Sequence, residues 1–288
     1  MDRNSLQNVL FSAELSKVHF IVPVFFAILI SAIFAQIVLV AQPISGSTGV
    51  FNGIDGVFAA VNILVITIVS IIGLFLFFHF FKKNRSFALR TLIAAFILGG
   101  VLSSLLFGKL VFTLIGLASP IFLLVVAIIT YSGAYFAYLV LVDALPKRTK
   151  NLLFIFCSGV LGAFLGVLIP TILSIMISLF LSILDLVLIE KNIVENIVGE
   201  ETYGTLLTEI TFSNCYGGVG IGDLTCYSLV VSNTLINFGI YIGSLSLLMI
   251  LLGVVLTLAL AIKRTRLPGL PIAIALGVLP SIFLLTFR

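Results

Sequence analysis

Nine apolar runs, at roughly 19–42, 55–81, 87–108, 118–142, 151–169, 171–189, 219–236, 238–262 and 268–287, leave this chain few folds to choose from. Each is about as long as a helical crossing of the bilayer requires, roughly 20 residues. The connections between them are short. A soluble fold could not hide so much apolar surface: 61% of the 288 residues are hydrophobic and 9% are charged, against about a quarter charged in soluble domains. We therefore expect an all-α polytopic membrane protein of nine transmembrane helices. Residues 1–288 leave no room for a separate soluble domain and are expected to form a single membrane-embedded unit.

Two features refine the span pattern. Leu110–Val142 is long and contains Pro120, so its first part is expected to be kinked or to lie along the interface. The fifth and sixth runs meet at Ile169-Pro170-Thr171, which we read as a tight turn because the combined stretch exceeds one crossing. The basic residues supply an independent check through the positive-inside rule. With a cytoplasmic N-terminus, every Lys and Arg falls inside except Lys109 and Arg288. The expected topology is thus N-terminus cytoplasmic and C-terminus extracytoplasmic, in a multi-pass protein of the cell membrane.

The net charge of +4 comes with no Lys- or Arg-dense surface of the kind that binds nucleic acid. Cys157, Cys215 and Cys226 are odd in number and lack metal-ligand spacing, so no disulfide framework is expected. The N-terminal segment is polar and of mixed charge, unlike a cleavable signal peptide. The longest hydrophilic connection, a cytoplasmic loop at about 191–218, carries Glu195, Glu200, Glu201 and Glu209, and within it Thr202–Phe212 permits a short strand or hairpin.

Few acids lie inside the apolar runs. Asp55 and Asp143 sit at span ends, where water reaches them. Asp185 has apolar neighbours on both sides, and Asp223 opens the seventh run. A carboxylate at such depth costs several kcal/mol unless it is protonated, paired or hydrated, which makes it a candidate functional group. Asp185 lies six residues before Lys191 and Asp223 five beyond Gly218. At helical rise these are depths of ~9 Å and ~7–8 Å beneath the same interface. Two neighbouring helices running in opposite directions therefore carry acids at matching depth.

Close carboxylates in a low-dielectric site tend to share one proton. That state suits amide hydrolysis without a metal or other cofactor. The ionised member takes a proton from water, and the protonated member polarises the carbonyl and later helps the amine leave. Gly220, Ile221 and Gly222 precede Asp223, and the two glycines let another backbone approach the acid. The rival hydrolytic chemistries lack their groups. A zinc site needs a His-Glu-x-x-His helix and a serine site a basic partner at depth, whereas the two histidines, His19 and His79, lie near span ends. A proton-coupled transporter or ion-leak channel using the same acid pair stays open as the alternative, although the chain lacks the repeated halves common in transporters.

Three patches resemble the presenilin and signal peptide peptidase family. Gly220-Ile221-Gly222-Asp223, continuing Leu224-Thr225-Cys226-Tyr227-Ser228, is similar to its GxGD motif. Asp185 after Leu184 resembles the aspartate of its YD motif, with leucine in place of tyrosine. Pro268-Gly269-Leu270-Pro271 resembles its PAL motif, with glycine in place of alanine, a change expected to add backbone freedom. The late PAL-like segment also argues against a prepilin-type peptidase, which shares the GxGD string.

The resemblance implies a presenilin-like fold, cleavage of transmembrane-helix substrates within the bilayer, and Asp185 and Asp223 as the catalytic pair. Leu184 and residues 268–271 would line the site, and the PAL-like segment would dock the unfolded substrate strand. A cytoplasmic N-terminus resembles presenilin rather than signal peptide peptidase, implying substrates with their N-terminus outside. The lean chain is similar to microbial, archaeal-type homologues, and no self-processing is expected. Self-association is left open. Gly162–Gly166 and Gly239–Gly243 are read as helix-packing pairs rather than assembly motifs.

Overall fold

The computed structural model describes residues 21–41, 85–116, 119–190, 211–214, 217–261 and 269–287. Eight helices are described. They are α1 (Ile21–Ala41), α2 (Arg85–Ile115), α3 (Ser119–Leu141), α4 (Lys147–Leu168), α5 (Thr171–Glu190), α6 (Ile221–Phe238), α7 (Ile240–Ala261) and α8 (Leu270–Thr286). A two-stranded antiparallel hairpin, β1 (Thr211–Asn214) and β2 (Gly217–Gly220), leads directly into α6. Five of the described helices are long and apolar enough to cross a membrane.

Eight of the nine expected spans correspond to these helices; the run at 55–81 lies outside the described residues. The expected turn at Ile169-Pro170 is present: Ile169 leaves the helix in an extended conformation and Ser174 N–H closes back on the Pro170 carbonyl at 2.9 Å. Two boundaries differ from expectation. Residues 110–115 extend α2 rather than open the next span, because the break falls at Gly116, whose φ of +67° lies in the left-handed region. Val219 and Gly220 belong to β2, so the seventh span starts as a helix only at Ile221. The strand expected within 202–212 lies mostly outside the described residues, and the observed β1 begins at Thr211.

In lipid, hydrophobicity does not drive helices together; close packing and interhelical hydrogen bonds do. The bundle is organised accordingly around α6. It packs on α4, α5, α7 and α8, and a run from Tyr227 to Leu235 is buried without interruption. Its polar side chains tie it to its neighbours. Asn233 Nδ2 donates to the carbonyls of Gly166 and Ile169, both at 2.8 Å. The Ser228 carbonyl accepts from Ser31 of α1 at 2.7 Å, and the Thr234 and Ser281 hydroxyls share a bond of 2.9 Å with α8.

The α4–α6 contact depends on small residues. A Cβ at Gly162 would lie 2.8 Å from the Thr225 carbonyl, and one at Gly166 would lie 2.9 Å from the Asn233 nitrogen. The Gly162–Gly166 pair is therefore a packing device within the chain. Of the second pair, Gly243 packs closely on Leu235, while Gly239 turns the chain between α6 and α7 with φ +85°. At the periphery, α3 turns Leu123, Leu124 and Ile128 outward, as a lipid-facing helix does. Asp143, expected at a solvated span end, forms an exposed ion pair with Arg90 at 2.7 Å.

Candidate active site

Asp223 occupies the first turn of α6, where unpaired backbone N–H groups favour a carboxylate. The β2 hairpin strand delivers Gly220 to the N-cap, beside the Asp223 carboxylate. A Cβ at Gly220 would come within 3.3 Å of Asp223 Oδ2. Asp185 lies near the C-terminal end of α5, half-buried between the exposed side chains of Leu184 and Leu186.

The two acids converge on one short segment, the entry to α8. The Leu270 N–H donates to Asp185 Oδ2 at 3.3 Å. On its other side Gly269 abuts Asp223: a Cβ there would stand 2.9 Å from Asp223 Oδ2. Asp185 from α5 and Asp223 from α6 thus flank residues 269–270 and are near enough to repel one another electrostatically.

The other expected site residues divide. Leu270 is buried and supplies its N–H, and Pro271 stands in the first turn of α8, where a missing N–H is tolerated. Pro268 lies outside the described residues. Ile221 turns away from the acids and packs in a core with Ile93, Ile97 and Phe154 of α2 and α4. Gly222 is exposed, with nothing within 4 Å of where a Cβ would be. The close approach to Asp223 therefore uses Gly220 and Gly269, not Gly222. Leu184 points outward and places no polar atom at the pair.

The expected role of Gly269 also changes. Its φ of −75° and ψ of −40° are ordinary helical values open to any residue. Its small size, rather than backbone freedom, is what the site uses. The sequence alone assigns Tyr227 no role, yet its hydroxyl donates to the Gly269 carbonyl at 3.0 Å. Its position four residues after Asp223, one turn along the same helix face, is the only signal the sequence carries. Among the described residues, no three His, Cys, Asp or Glu side chains are grouped as metal ligands would be.

Asp185 and Asp223 offer two carboxylates, with the Leu270 N–H aimed at Asp185, beside a segment whose backbone is held from α6. Such a pair can hold one proton between its members, activating a water at one carboxyl while the other donates to a carbonyl oxygen.

No family model matches the sequence, and no curated protein sequence matches it. Two solved structures of a presenilin family intramembrane aspartate protease, in different crystal forms, do match its fold. The first aligns over 93% of this chain and 99% of that one, with a TM-score of 0.52 and 14% sequence identity. The second covers 92% and 97% of the two chains, with a TM-score of 0.51 and again 14% identity. At that identity the likeness is one of architecture, and it extends along almost the whole of both chains: the fold of this protein is that of a presenilin family intramembrane aspartate protease.

Proposed function

We propose that this protein is an intramembrane aspartyl endopeptidase that hydrolyses peptide bonds within the transmembrane helices of membrane-protein substrates. The observation that carries the reading is the convergence of Asp185 and Asp223, from consecutive membrane helices, on the Gly269–Leu270 backbone. The shared fold supports the same reading.

In this mechanism the ionised carboxyl takes a proton from a water as that water attacks the scissile carbonyl. The second, protonated carboxyl donates to the developing oxyanion. Collapse of the tetrahedral intermediate then expels the amine, which takes the proton gained by the first carboxyl, while the re-forming carbonyl returns its hydroxyl proton to the second. The hydrogen bond from Leu270 to Asp185 holds one carboxylate in place, so little reorganisation accompanies the proton transfers. Residues 268–271 would also receive the substrate locally unwound, because a peptide bond inside an intact helix is shielded from attack.

The chain works as a single membrane-embedded domain of nine spans in the cell membrane, with its N-terminus in the cytoplasm. Its substrates enter with their N-terminus outside. The deciding experiment is cleavage of a tagged single-span substrate in liposomes by the wild type, Asp185→Asn and Asp223→Asn. Either substitution is expected to abolish cleavage while leaving expression intact. Full activity in either variant would remove that residue from the mechanism, and ion flux without proteolysis, lost on the same substitutions, would establish a transporter instead.

A further inference from the structure

Tyr227 links both halves of the site through one hydrogen bond. Its ring is buried among Leu224, Leu270, Ala273 and other core residues, so packing alone fixes the ring in place. Its hydroxyl then donates to the Gly269 carbonyl at 3.0 Å. The same peptide unit presents the Leu270 N–H to Asp185 Oδ2 at 3.3 Å. Gly269 is also the residue pressed against Asp223. Asp223 and Tyr227 are one turn apart on α6, so the hydroxyl sets the distance from the helix bearing one acid to the backbone gripping the other.

We infer that Tyr227 is a positioning residue for the reaction, its hydroxyl holding the Gly269–Leu270 backbone where that backbone meets both carboxylates. The inference rests on the reading of Asp185 and Asp223 as the catalytic pair. Tyr227 touches neither the water nor the scissile bond; it acts through residues 269 and 270. Position 184 bears a leucine turned outward, which carries no hydroxyl beside Asp185.

The test is Tyr227→Phe, which removes the hydroxyl and keeps the ring. Wild type and variant, purified in detergent, are compared for kcat, KM, thermal midpoint, and affinity for a hydroxyethylene peptide isostere that mimics the tetrahedral intermediate. Loss of one neutral hydrogen bond that acts on the transition state is expected to lower kcat about tenfold. KM and the thermal midpoint are expected to stay as in the wild type, while isostere affinity falls by the same factor as kcat. Wild-type turnover would overturn the proposal. So would a turnover loss matched by a fall in the folded fraction, or a variant that does not accumulate, since the hydroxyl would then support the fold rather than the pair. If Asp185→Asn and Asp223→Asn both abolish cleavage and Tyr227→Phe is fully active, this inference alone fails; if either asparagine variant is active, the underlying reading fails.

Discussion

Adding one methyl group at Gly166 should loosen the contact that seats α6, the helix bearing Asp223. A Cβ there would stand 2.9 Å from both the Asn233 nitrogen and the Leu229 carbonyl oxygen, with Ser232 Oγ nearer still. These are backbone atoms of a helix, and no rotamer change moves them aside. Ordinary van der Waals contact is ~3.5 Å, so α4 and α6 must part by about 0.5 Å. Overpacking of this kind costs about 1–3 kcal/mol. The separation also stretches the two 2.8 Å bonds from Asn233, each worth about 0.6 kcal/mol in a membrane bundle. Exchange of glycine for alanine within a helix returns about 1 kcal/mol. The net is a destabilisation of about 1–3 kcal/mol, or a fall in thermal midpoint on the order of 3–10 °C.

Cys157 provides the readout, because it is 1% exposed on α4 and reacts with a thiol probe once the bundle opens. Gly108→Ala in α2 serves as the control: a Cβ there meets nothing within 4 Å, so its midpoint should hold or rise slightly. A Gly166→Ala midpoint equal to that of the control would refute close α4–α6 packing as the basis of the contact.

Other expectations concern the reaction. Gly269→Ala places a methyl group ~0.5 Å inside ordinary contact with Asp223 Oδ2. Misplacement on this scale should lower kcat about tenfold. A rate equal to wild type in the same liposome assay would mean that the segment yields freely. The dependence of rate on pH should be a bell, since activity requires one proton between two acids: it falls at low pH as a second proton binds and at high pH as the shared proton leaves. A flat profile of initial rates would exclude that proton inventory.

The elements legible in the sequence were those written in strong local contrasts. Asp185 stands out because a charge amid apolar residues has few bland explanations in a bilayer, and Ile169-Pro170 because it interrupts a stretch too long for one crossing. The convergence of Asp185 and Asp223 could be anticipated from helical rise and opposite chain direction. What stayed hidden were relations between segments distant along the chain. Tyr227 gave no sign of its bond to Gly269, 42 residues away, because periodicity fixes the face a side chain occupies and not what packs on that face. Gly222 and Gly269 look alike in a motif, yet one faces open space and the other a carboxylate. The end of α2 at Gly116 was equally obscure, since an apolar run carries no mark of where one helix stops and the next begins.

The polar character of α6 bears on how the protein is made. Ser232, Asn233 and Thr234 are buried and bonded to α4 and α8 in the finished bundle; on a solitary helix leaving the translocon they would confront hydrocarbon. Synthesis proceeds from the N-terminus, so α4, which answers Ser232 and Asn233, is already in the bilayer when α6 emerges. Ser281 and the Gly269 carbonyl come only with α8. Until then α6 would stay loosely lodged, with Asp223 lacking the Gly269–Leu270 backbone that abuts it in the finished bundle.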